Sequence, residues 1–230
     1  MRIRSLFISA GACSLMASVS SAQTAMARPS FGILLGTNIA TVSDADKGFD
    51  NTNGVPVNKK QRIGLNVGVF ARIPLAGMVS LQPEVHYAQN GVTLEATGGE
   101  VGKLDLHIDY VEVPVLLRLD IPTGSSIHPI LLAGASAAYR VKCQLSGGAS
   151  GATASFDCES NPGSSSTSVD PFKKSDFSVV GGAGLALTSM GRSISLQARY
   201  TLGLQTIATD TADGIKPKNR ALSILLGIGF

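Results

Sequence analysis

Between Tyr110 and Asp120 every second residue is aliphatic, with Val111, Val113, Val115, Leu117 and Leu119 on one side and Glu112, Arg118 and Asp120 among the others. A period of two belongs to a β-strand, whose successive side chains point to opposite faces. The pattern recurs at 61–74, where Ile63, Leu65, Val67, Val69, Ala71 and Ile73 oppose Asn66 and Arg72. At 80–88, Leu81, Val85 and Tyr87 oppose Gln82, Glu84 and His86. At 193–204, Ile194, Leu196, Ala198, Tyr200, Leu202 and Leu204 oppose Gln197, Arg199 and Thr201. Weaker versions at 31–41, 127–141, 176–187 and 220–230 bring the expected strands to eight.

The connections discriminate between a soluble sandwich and a closed membrane barrel. Long polar links at 42–60, 91–107, 142–174 and 207–219 alternate with short ones at 75–78, 121–126 and 189–192. An up-and-down barrel yields this alternation directly, with tight turns at one end and loops at the other. Strands of about 11 residues, tilted by about 40°, rise about 28 Å, enough for the apolar band of an outer-membrane barrel. The expected fold is therefore all-β: an eight-stranded antiparallel up-and-down transmembrane barrel with short periplasmic turns and long extracellular loops. On the apolar face, Tyr87, Tyr139 and Phe177 fall near the extracellular ends, and Phe31 and Phe230 near the periplasmic ends, as two thin aromatic girdles require.

Composition agrees with a surface that faces something other than water. The 230 residues are 44% hydrophobic and only 15% charged, with 26 glycines and no tryptophan; soluble domains average about 25% charged. The N-terminus carries Arg2 and Arg4, an apolar stretch from Leu6 to Val19 and small residues before Gln23. These features read as a secretory signal peptide over 1–22, leaving 23–230 as one barrel domain in the outer membrane of a Gram-negative cell. Cys13 lacks the preceding large aliphatic that lipidation needs, because Ala10 stands there. The formal charge of +3 contains no basic run suited to a phosphate backbone, so nucleic acid is not an expected partner. The expected partners are outer-membrane lipid, the barrel-assembly machinery, and an extracellular or envelope protein reached through the loop 142–174.

Alternation sends Arg72, Glu84, His86, Glu112, Arg118, Arg140 and Arg199 inward. Eight strands enclose a space that side chains nearly fill, so these residues are expected to form a packed polar core of Arg–carboxylate pairs. The functional alternative is a narrow proton or ion path. Cys143 and Cys158, the two cysteines after the export segment, are expected to form a disulfide in an oxidising compartment. No cofactor or metal is expected, since His86, His107 and His128 lie in no ligand spacing. His107 between Asp105 and Asp109 is the one cluster with chemistry suited to general acid–base work at the extracellular rim.

The stretches SLQPEVHYAQNGV, DYVEVPVLLRL, PILLAGASAAY, DFSVVGGAGLAL and LQARYTLGL, with the terminal Phe230, resemble the PorT-like outer-membrane β-barrel family. The likeness covers nearly the whole chain after the export segment, most specifically in the LQPEVHYAQNG and DYVEVPVLLR pair. It implies an eight-stranded barrel with Glu84 and Glu112 as inward carboxylates on neighbouring strands. The terminal position of Phe230 resembles the signal by which such barrels are recognised for assembly. The chain departs from the usual member in the long external segment that holds Cys143 and Cys158. The leading expectation is a non-enzymatic barrel that scaffolds an envelope complex or binds through its loops. A rim enzyme acting on lipid or peptide, and a narrow pore or secretion accessory, are the alternatives.

Overall fold

The computed structural model describes residues 28–43, 57–96, 103–149, 152–157, 173–189, 192–206 and 218–230. Their strands are β1 (Ser30–Val42), β2 (Val57–Ala76), β3 (Val79–Ala96), β4 (Lys103–Asp120), β5 (Ile127–Ala149), β6 (Ala152–Asp157), β7 (Ser175–Ser189), β8 (Arg192–Gly203) and β9 (Asn219–Gly229). Neighbours from β1 to β5 pair antiparallel, β5 pairs with β7, β7 with β8 and β8 with β9. The ring closes where β9 returns to β1, from Gly32 opposite Gly229 to Val42 opposite Asn219. Eight strands thus form a closed barrel. Closure is what a lipid environment demands, because an open edge there leaves backbone groups that no water can satisfy.

The two faces differ as the alternation requires. Ile33 and Leu35 on β1, Val67 and Val69 on β2, Val113, Val115 and Leu117 on β4, and Leu222, Ile224 and Leu226 on β9 are exposed to the outside. Between them Leu34, Asn38, Leu116, Arg118 and Leu225 are buried within. Tyr139 and Phe177 stand exposed toward the extracellular end, Phe31 and Phe230 at the periplasmic end. The short turns begin after Ala76 and Asp120; Gly77, with φ of +53°, lets β2 reverse into β3 within two residues.

The wall is taller than the alternating segments suggest. β3 runs to Ala96, β4 starts at Lys103, and β5 continues to Ala149, taking in residues that the polar links were expected to hold. The ladder carries them: Val92 faces Leu106, and Leu106 faces Leu145. Above the lipid, backbone pairing and an apolar interior hold a strand whose outer face is polar. β6 is a ninth strand outside the ring, a hairpin partner of β5 with Leu145 opposite Phe156.

A register shift changes the facing of β5. Asp109 opposes Lys142 while Tyr110 opposes Arg140, so Val141 is an extra residue. Such a bulge re-aims everything beyond it. Below it Ile130, Leu132, Ser136 and Arg140 are buried; above it Cys143 is.

Candidate functional site

Glu84 on β3 and Arg199 on β8 meet inside the barrel. Nη1 donates to Oε2 at 2.6 Å and Nη2 to Oε1 at 2.9 Å, a two-pronged pair whose side chains are 0% and 4% exposed. β3 and β8 are four strands apart in either direction around the ring. The pair is therefore a crossbar spanning the diameter. The guanidinium also donates to Gln197 Oε1, and Gln82 donates to Glu84 Oε1 at 2.6 Å.

The crossbar sits in a wider polar layer. His86 Nε2 bonds Glu84 Oε2 at 2.6 Å and its Nδ1 meets Asn66 Oδ1 at 2.7 Å. Asn66 donates on to Asn38 Oδ1 at 3.0 Å, which also accepts the Ser223 hydroxyl, while Asn38 donates to Asn90 at 3.2 Å. Each side chain holds the next, so β1, β2, β3, β8 and β9 are tied through the centre. A buried network is stabilising only when so fully connected.

Toward the outside, Asn219 on β9 donates to the Tyr110 hydroxyl on β4 at 3.3 Å and to Asp176 on β7 at 2.8 Å. β4 and β9 also lie opposite each other, making a second tie. Glu112 accepts from Asn90 at 3.5 Å. A void of about 20 Å³ adjoins Glu112, Asp176, Tyr110 and Asn219, room for one water or so. Above it Val42, Val92, Leu94, Leu106, Ile108 and Cys143 pack as an apolar lid. Arg140 is buried beside this layer.

The periplasmic mouth is charged differently. Asp120 accepts from Arg118 Nε at 3.1 Å and Nη2 at 2.8 Å, and lies 3.1 Å from His128 Nε2. Arg118 Nη1 reaches Gln82 Oε1 at 3.3 Å. Arg72 comes only within 3.9 Å of Asp120.

The profile of the outer membrane protein beta-barrel domain family matches residues 21–208. The chain belongs to that family. No curated protein matches it. Among solved structures, it is similar to Ail, the attachment invasion locus protein of Yersinia pestis, at 15% identity over 89% of this chain and all of that one, with a TM-score of 0.42. Neisserial surface protein A is similar at 12% identity over 89% of this chain and all of that one, with a TM-score of 0.45. OprG from Pseudomonas aeruginosa is similar at 12% identity over 88% and 94%, with a TM-score of 0.43. As a member of the outer membrane barrel family the protein resides in the outer membrane, in contact with its lipid.

In this outer membrane barrel the structure brings Glu84, His86 and Arg199 into one cluster and Arg72 and Arg118 into another around Asp120. Glu112 and Arg140 belong to the extracellular half, where Glu112 accepts from Asn90. At the rim, Asp105 takes the Thr93 hydroxyl and Asp109 takes the Tyr87 hydroxyl at 2.7 Å. Cys143 lies in the apolar lid, while Cys158 and residues 1–22 lie outside the described residues. Phe230 exchanges backbone hydrogen bonds with Phe31, 2.7 Å from its own N–H and 3.3 Å to its carbonyl.

Alternation placed Asn66, Gln82 and Gln197 on the polar face without assigning them to the core, and passed over Asn38 and Ser223. Each lies on the inward parity of its strand, next to a charged or small residue, and that parity was the available signal.

Proposed function

We propose that this outer membrane barrel is a non-enzymatic envelope protein, a sealed anchor that carries an extracellular extension for binding or scaffolding. The observation that carries this reading is the Glu84–Arg199 crossbar, which occupies the bore at mid-barrel. An apolar cluster packs above it. By contrast, β3, β4 and β5 continue beyond the lid and add the β5–β6 hairpin. Ordered wall is thereby spent where a partner can reach it. The Thr93 and Tyr87 hydroxyls that bond Asp105 and Asp109 favour this reading over a rim enzyme, because a general base needs a hydrogen-bonded partner to position it.

Kinship to the PorT-like group, export by a cleaved segment at 1–22 and assembly through Phe230 belong to the same proposal. So does a Cys143–Cys158 disulfide across the base of the hairpin. The antiparallel register ending at Gln144 opposite Asp157 supports it, because the next pair outward in such a ladder is 143 with 158. The link would pin the segment 142–174 as a stiff presenting element.

The test places a photo-crosslinking residue at Ser155, which is exposed on β6, in the full chain in cells. Discrete protein adducts are expected. They should be absent when the same residue is placed instead at Val113 on the lipid-facing wall, in a barrel that still shows heat-modifiable migration. Absence of any adduct other than lipid and the assembly machinery overturns the binding role.

A further inference from the structure

The periplasmic mouth holds a cleft of about 280 Å³ between β2, the β2–β3 turn, β3, β4 and β5, entered past Arg28. Arg72, Ser80, Asp120 and His128 line it. The volume suits a small polar group and falls below the ~300–1,000 Å³ of drug-sized sites.

Charge in the cleft does not balance. Asp120 is the one carboxylate among its lining residues, and Arg118 and His128 already occupy its oxygens. Arg72 stands 3.9 Å from Asp120, beyond hydrogen-bond distance, and no hydrogen bond from its guanidinium is seen among the described residues. Its side chain is partly buried, 24% exposed. With Arg28 at the entrance, the cleft carries more positive than negative charge.

A second observation is independent of charge. Ser80 is 5% exposed, lines the cleft and has no partner for its hydroxyl. It stands between Pro74 and Arg118 in the ladder. Pro74 has no N–H, and Arg118 is turned to Asp120 and Gln82. Buried hydroxyls in folded proteins find partners. A planar guanidinium fork beside a free hydroxyl matches the oxygens of a phosphate group in particular.

We propose that this mouth is a binding site for a phosphate group, with Arg72 providing the two-pronged contact, Ser80 a hydroxyl donor and Arg28 the charge that draws the anion in. Arg118 and His128 occupy the oxygens of Asp120 and so leave Arg72 available. The site faces the periplasm, which offers two sources of this chemistry: free phosphate anions and the headgroups of the inner leaflet.

Two arms separate them. In one, inorganic phosphate is titrated calorimetrically into the full barrel folded in a non-ionic detergent, at constant ionic strength set with chloride. In the other, the barrel is placed in phosphatidylcholine nanodiscs with or without phosphatidic acid, and co-purified lipid is counted by native mass spectrometry. Binding in the first arm assigns the site to free anions, and enrichment of phosphatidic acid in the second assigns it to headgroups. In whichever arm responds, Arg72→Gln should weaken binding about tenfold, the scale of one charge-assisted hydrogen bond. Ser80→Ala, too small a change to threaten folding, should weaken it about threefold. Lys60→Gln, on the extracellular side, should leave it unchanged. Absence of binding in both arms overturns the proposal, as does wild-type affinity in a correctly folded Arg72→Gln protein.

Discussion

At the scale of single residues, the interior depends on partners that cannot be removed one at a time. Glu84 and Arg199 are withdrawn from solvent and meet face to face, so truncating either leaves a buried charge alone. Glu84→Ala should lower unfolding stability by about 3–5 kcal/mol, the range for breaking a buried pair. Replacing both, as Glu84→Leu with Arg199→Met, should restore only part of that loss, since it removes the lone charge but leaves His86, Gln82 and Gln197 without the partners they had. Urea unfolding of the barrel in lipid vesicles, carried through the full double-mutant cycle, checks both numbers. Alternation alone puts each of these residues inside, because parity reports which face a side chain takes. It says nothing of the residue across the bore, which depends on strand count and stagger together. Cys143 shows the other limit: counting by twos from Tyr139 sends it outward, and only the extra Val141 turns it in.

At the scale of strands, backbone approach constrains the wall as firmly as side-chain pairing does. A Cβ on Gly36 would collide with the carbonyl oxygen of Ile224 on β9, and one on Gly134 with that of Val115 on β4. These are backbone atoms, so no rotamer can relieve them. Gly36→Val should therefore destabilise the β1–β9 closure by about 1–3 kcal/mol, the usual cost of overpacking. Gly181, with open space around the same atom, should accept Val without loss. Comparing the fraction that migrates as folded barrel across a temperature series distinguishes the two. The closing strand also makes a prediction about biogenesis. Deleting Phe230 removes only two backbone hydrogen bonds to Phe31, yet surface accumulation should fall severalfold while the melting temperature of assembled protein changes little. Equal accumulation of the deleted chain, measured by surface labelling, rules out its role as an assembly signal. Strand identity was legible wherever lipid and core impose different chemistry on the two faces. It was lost at 91–96, 144–149 and 152–157, where glycine and polar residues read as loop and only the ladder reveals the strand.

At the scale of the whole molecule, the barrel and its orientation follow from the two solvents its faces meet and from turns that are short at one end. What fills the bore follows from the closed ring: eight strands bring opposite walls near enough for one arginine to reach one glutamate. The charged mouth at the periplasmic end and the tall wall at the other then give the molecule two addressable ends, with the proposed seal between them. The task of the extracellular end was not legible, because a binding surface is defined by a partner that leaves no period in the sequence. The seal itself is open to direct measurement. Folded wild-type protein inserted in planar bilayers should give no discrete current steps, whereas Glu84→Ala with Arg199→Ala, which removes the crossbar, should give brief openings. Stable, reproducible conductance steps from the wild-type barrel would contradict the account.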